Sequence, residues 1–197
     1  MSKFVTQKVT DLPPSGIRKF FDLAATMDEC ISLSIGEPDF VTPKLMMDAA
    51  IESLHQGKTA YTSNAGLIEL RQEICNYLKK YDLSYDAAKE VLITVGASEA
   101  IDLAFRALLS AGDEVLIPDP SFVCYGPLTI MAGGTPVSLA TYEKDEFRLT
   151  AEELEKKITS NSKVLLLPYP NNPTGGIMRK EDYEPIAEVV KKHYLFV

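Results

Sequence analysis

The feature that most constrains this chain is an apolar run, Lys163-Val164-Leu165-Leu166-Leu167, that ends in Tyr169-Pro170-Asn171-Asn172-Pro173-Thr174-Gly175-Gly176. Such a run, closed by turn residues, reads as a buried strand. Prolines, asparagines and glycines at its carboxyl end make a rigid turn with exposed amides. In open α/β sheets this is the edge where ligands bind. The run therefore bears on both the fold and the place of a site.

The rest of the chain supplies the sheet that such a strand needs. Val91 to Val95, Val115 to Ile117, Thr135 to Ala140 and Val164 to Leu167 read as strands. Between them, Ser98 to Ser110 reads as a helix with Ile101, Ala104, Phe105 and Leu108 on one face. Thr150 with Glu153 forms a capping box for a helix reaching about Ile158. A further helix spans roughly Glu181 to Lys192, and Tyr194-Leu195-Phe196-Val197 begins another strand. Alternation of this kind predicts an α/β fold with a mostly parallel sheet. Upstream, an arm broken at Pro13-Pro14-Ser15-Gly16 leads to an amphipathic segment from Ile17 to Met27 and a short strand from Ile31 to Ile35. Thr42 as N-cap with Pro43 at the first helical position starts a helix to about Gln56, stopped by Gly57. Leu67, Leu70, Ile74 and Leu78 recur at helical spacing in the next one.

Charge and cysteine content narrow the function classes. The net charge is −8 with acidic residues spread along the chain, whereas a nucleic-acid footprint needs clustered Lys and Arg. Cys30, Cys75 and Cys124 lack metal-like spacing, as do His55 and His193, and read as reduced thiols in a cytoplasmic protein with no metal site. Cys124 reads as a small buried residue near the site. No apolar run has the length of a membrane span.

Three strand ends carry the candidate chemistry. Thr94-Val95-Gly96-Ala97-Ser98-Glu99-Ala100 turns from strand to helix, and the free amides there, with the helix dipole, suit an anion such as phosphate. Read alone, Ser98 is equally a cap for its own helix. Asp119-Pro120-Ser121-Phe122-Val123-Cys124-Tyr125 brings two aromatics to the same sheet edge, where a flat ring could stack. Either aromatic could instead fold into the core. Asn172 offers an amide that can donate to a ring hydroxyl, or it is simply a turn former. Taken together, the three make a phosphate cradle, a stacking face and a polar ring contact.

In order along nearly the whole chain, the following segments resemble the class I/II aminotransferases of fold type I, which use pyridoxal 5′-phosphate. They are Ser34-Ile35-Gly36-Glu37-Pro38-Asp39-Phe40 with Thr42-Pro43, Tyr61-Thr62 with Gly66-Leu67 and Glu69-Leu70-Arg71, and Val95-Gly96-Ala97-Ser98-Glu99-Ala100. Gly112-Asp113-Glu114-Val115, Pro120-Ser121-Phe122 with Tyr125, and Asn172-Pro173-Thr174-Gly175 complete the series. The resemblance implies that Ala97, Ser98 and the Glu99 amide hold the cofactor phosphate, Phe122 stacks on the pyridine ring and Asn172 hydrogen-bonds the ring hydroxyl. It implies that the backbone of Gly36 meets the substrate carboxylate and that Tyr61 reaches the cofactor phosphate of a neighbouring subunit in a homodimer. It further implies cis peptide bonds at Asp119-Pro120 and Asn172-Pro173, with an amino acid and a 2-oxo acid as substrates.

By the same resemblance, residues 1–45 form the N-terminal arm and first part of a small domain. Residues 46–197 form the N-terminal part of the cofactor-binding large domain, which is incomplete at its C-terminus. The lysine that carries the cofactor and the Asp that pairs with the pyridine nitrogen are expected beyond Val197. Lys163, Lys180 and Lys191 read as solvated surface charges. The expected function is amino-group transfer by a protein of which this chain is an N-terminal portion, inactive by itself. With the strand at Val91 to Val95 short of neighbours and the one at Tyr194 an exposed edge, the isolated chain is expected to be poorly stable or prone to aggregation. The alternatives are a non-catalytic truncated product or partner of a full-length relative and, within the cofactor class, a C–S lyase. A nicotinamide-binding oxidoreductase lacks its glycine fingerprint here.

Overall fold

Val115, Leu116, Ile117 and Pro118 are all buried, the continuous apolar pattern of a strand covered on both faces. They form the middle of β1 (Glu114–Asp119), the central strand of a parallel sheet with order β2-β1-β3, in which β2 is Thr135–Ala140 and β3 is Ser162–Leu165. The computed structural model describes residues 3–14, 16–24, 26–27, 31, 36 and 38–197. The described residues confirm the α/β class with a parallel sheet.

The chain divides into two compact units, Met1–Pro14 with Val95–Val197, and Ser15–Thr94. In the first unit α1 (Gln7–Thr10) lies against α6 (Tyr125–Ala132). The other helices are α5 (Ala97–Leu108), α7 (Ala151–Lys157) and α8 (Lys180–His193). Period-two alternation along the strands sorts their side chains into two cores. Leu116 and Leu165 join Leu139, Leu154, Ile186 and Leu195 in one core. Val115, Ile117 and Val164 join Phe105 and Leu109 in the other. β1 and β2 pair in register from Glu114 with Thr135 to Asp119 with Ala140, so both end at the same edge. The Thr150 hydroxyl accepts from the Glu153 amide at 3.2 Å, the cap expected for α7.

The second unit holds α2 (Ile17–Ala24), α3 (Lys44–His55) and α4 (Ile68–Leu78), followed by a 3-10 turn at Lys79–Tyr81. Pro43 sits at the N-cap of α3 rather than at the first helical position, a one-residue difference of the size that helix ends show. Gly66 has φ +92, and a Cβ there would stand 2.4 Å from Ile93 Cγ1. Only glycine lets the Ala65 carbonyl approach the Ile93 amide, to which it bonds at 3.0 Å. Arg71, 6% exposed, donates to the Ala87 carbonyl at 2.9 Å and pins the loop that follows α4.

Two expectations need correction. Val91 to Val95 is not a strand, because among the described residues no segment pairs with it in a ladder, and Val95 is largely exposed. Tyr125 is the first residue of α6, a helix that the sequence hides because Gly126 and Pro127 in its first turn resemble a breaker. A proline in a first helical turn sacrifices no intrahelical bond. The strand expected at Tyr194 is reduced to one parallel bridge, Phe196 beside Val164. The strand expected from Ile31 to Ile35 lies outside the described residues.

Candidate functional site

The first turn of α5 presents the amides of Ala97, Ser98 and Glu99, which no helix can satisfy internally. Gly96, with φ +82, takes the N-cap position, and no side chain caps the turn there. The Glu99 carboxylate turns back to accept from the Val95 amide. Ala97, Ser98 and Glu99 are all exposed, so the positive end of a twelve-residue helix faces outward.

Beside this turn lies the loop after β1. The Ser98 hydroxyl is 3.9 Å from the Cys124 sulfur, which joins the end of α5 to the Phe122-Cys124 segment. Phe122 is 37% exposed and meets Tyr125 edge-on, with ring centroids 5.9 Å apart and an interplanar angle of 74°. An edge-to-face pair covers at most one face of either ring, so at least one face of Phe122 lies outside this contact. Burial pushes the Cys124 thiol up against the lowering effect of the Ser98 hydroxyl, and burial also pushes up the Tyr125 phenol. A raised thiol is a poor nucleophile at neutral pH. Cys124 is half-buried, where the sequence suggested full burial.

The third piece is the turn after β3. Asp119-Pro120 and Asn172-Pro173 are cis, as expected, and so is Tyr169-Pro170, which was not anticipated. Asn172 is exposed. Its neighbour Asn171 is 4% exposed and donates from Nδ2 to the Pro120 carbonyl at 2.9 Å, tying this turn to the loop after β1. Asn171 Oδ1 is buried with no donor among the described residues, a state that costs about 1–3 kcal/mol. Sequence reasoning passed over Asn171; the doubled asparagine before a proline was the available signal. Tyr169, whose phenol burial also pushes up, donates to the Phe147 carbonyl at 2.9 Å and anchors the start of the turn.

Ala97, Ser98 and Glu99, Phe122 and Asn172 therefore belong to one unit, linked through Ser98–Cys124 and Asn171–Pro120. Gly36 and Tyr61 belong to the other unit, where both are exposed. Lys163 pairs with Asp113 at 2.8 Å, Lys191 with Glu188 at 2.8 Å and Lys180 with Glu184 at 3.9 Å, all away from these loops in sequence. Among the described residues, no helix is long and apolar enough to cross a membrane.

Comparison with known proteins identifies the family. Residues 28–197 match the family model described as aminotransferase class I and II. The chain is 49% identical over 198 residues to the putative aminotransferase YugH of Bacillus subtilis, covering all of this chain and 51% of the relative. It is 48% identical to an aspartate aminotransferase of Pyrococcus abyssi, covering 93% of this chain and 48% of that one. The crystal structure of an aromatic aminotransferase from Pyrococcus horikoshii superposes with a TM-score of 0.82 at 43% identity, over 91% of this chain and 48% of that one. The chain thus spans about half the length of these relatives. On the family model and these identities, it belongs to the class I and II aminotransferases.

Proposed function

We propose that this chain contributes the phosphate- and ring-binding part of a pyridoxal 5′-phosphate-dependent aminotransferase, which moves an amino group between an amino acid and a 2-oxo acid. The observation that carries the reading is the pair of links, Ser98–Cys124 and Asn171–Pro120, gathering three loops at one sheet edge. The donor set fits the cofactor. Free amides and a helix dipole suit a phosphate, an open aromatic face suits a pyridine ring, and an exposed carboxamide suits a ring hydroxyl. When bound, pyridoxal phosphate supplies an electron sink for bond breaking at the amino acid's α-carbon. The chain's own residues bind and orient. Ala97, Ser98 and the Glu99 amide hold the phosphate, Phe122 holds the ring plane and Asn172 sets its rotation. The Gly36 backbone meets the substrate carboxylate.

The same reading makes the working protein a cytoplasmic homodimer in which Tyr61 reaches the neighbouring subunit's cofactor phosphate. The exposed apolar residues of α3 support this. Among its residues Leu45, Met46, Ile51 and Leu54 are exposed and none is buried, as for a helix that gains its cover from another chain. Residues 1–45 as arm and small-domain start, and 46–197 as large-domain part, complete the proposal.

Binding of pyridoxamine 5′-phosphate, which needs no lysine to attach, tests the reading. Saturable binding is expected, with inorganic phosphate competing and Phe122→Ala and Asn172→Ala each weakening it roughly tenfold. Absence of saturable binding overturns it. Borohydride treatment with pyridoxal phosphate should trap no adduct at a unique lysine. One stoichiometric adduct would mean that this chain carries its own catalytic lysine.

A further inference from the structure

Asn171 and Asn172 are neighbours with opposite environments, one buried and one exposed. The Asn171 amide donates to the Gly176 carbonyl and its carbonyl accepts from the Gly175 amide, both at 2.8 Å. One residue thereby closes the 171–176 turn from both ends. Its Nδ2 then reaches a carbonyl 51 positions away in sequence, that of Pro120. Phe122 stands two residues beyond that carbonyl, and Asn172 adjoins Asn171 itself. A single hydrogen bond thus joins the backbone that carries Phe122 to the backbone that carries Asn172.

We infer that Asn171 is a positioning residue, which sets the separation of Phe122 and Asn172 and so decides whether the site grips a ring as well as a phosphate. This rests on the cofactor reading above for its consequence, but not for its geometry. The carboxamide is required because the contact is donor to carbonyl. An aspartate of the same outline would present an acceptor to an acceptor. Asn171 Oδ1 accepts from nothing among the described residues, so the bond to Pro120 is the one through which the side chain acts. The phosphate end, built on the amides of α5, does not include Asn171.

The test compares the chain with its Asn171→Ala and Asn171→Asp variants, titrated with pyridoxamine 5′-phosphate and, separately, with inorganic phosphate. Induced circular dichroism reports the bound ring, and amide hydrogen exchange is followed over 119–125 and 171–176. The expected result for Asn171→Ala is roughly a tenfold loss of affinity for pyridoxamine phosphate, the net effect of one buried hydrogen bond. Its induced dichroism should vanish, affinity for inorganic phosphate should stay within about twofold, and exchange should quicken in both loops. Retained phosphate binding certifies the fold, and the alanine variant serves if the buried aspartate prevents folding. Unchanged ring affinity and dichroism, or faster exchange confined to 171–176, overturns the inference. If the unsubstituted chain binds phosphate but no ring, the cofactor reading fails, and the exchange experiment alone decides the clamp.

Discussion

Glu99 and a bound phosphate would compete for the same end of α5. The Glu99 carboxylate, turned onto the Val95 amide, places a negative charge at the helix's positive pole, a favourable position for the empty helix. For an arriving dianion it is a repulsive neighbour. Replacing it through Glu99→Gln keeps the shape and removes the charge. Phosphate affinity should rise about two- to fivefold, the scale of a helix-dipole charge term, measured by titration at low ionic strength. Weaker binding would mean that the carboxylate's hold on Val95 shapes the turn more than its charge opposes the ligand. Residue types at this site were legible in the sequence, because a run of small residues just ahead of an amphipathic helix marks a turn with free amides. The separate fates of Asn171 and Asn172 were not legible. Identical side chains in adjacent positions carry no local signal of which one faces inward.

Elements are tied together by carboxylates whose titration should be visible in stability. Lys163 in β3, helped by the Ser110 amide, holds the Asp113 carboxyl below its ordinary range just ahead of β1. Lys192 and then His193, at the end of α8, do the same for Glu155 in α7. A carboxylate with a lowered folded pKa stabilises the fold fully above its unfolded pKa, near about 4. That contribution is lost as the pH falls through the lowered folded value. The urea midpoint should therefore fall on acidification from about pH 5 to about pH 3, and Lys163→Met should flatten part of that slope. An unchanged slope in the variant would show that the Lys163–Asp113 pair contributes nothing to folding. Both groups are solvent-exposed enough for salt to weaken the effect. At this scale the sequence was most readable where caps and periodicity act within a few residues, as at Thr150 and in α8. It misled at Val91 to Val95, where β-type residues stand without a ladder.

For the whole molecule the exposed apolar surface is the dominant physical fact. Phe40, Val41, Leu45 and Leu54 in one unit, and Phe196 and Val197 in the other, are exposed. Soluble monomers seldom leave so many large side chains uncovered. The isolated chain should elute from gel filtration ahead of a monomer or aggregate on warming. The double change Leu45→Lys with Leu54→Lys should reduce that association if α3 is the contact. A soluble monomer with one cooperative melt at an ordinary temperature would overturn the prediction. The alternation of strand and helix, the candidate site edge and the family were all determined by local pattern, because hydrophobic period, caps and turn residues act over a few positions. The ladders and the clamp depend on groups far apart in sequence. Phe196 finds Val164 beside it, Asn171 reaches the Pro120 carbonyl, and among the described residues Val91 to Val95 joins no strand ladder. Hydrogen bonds of that range are satisfied only when packing brings the partners together, and packing is a property of the folded chain rather than of any segment.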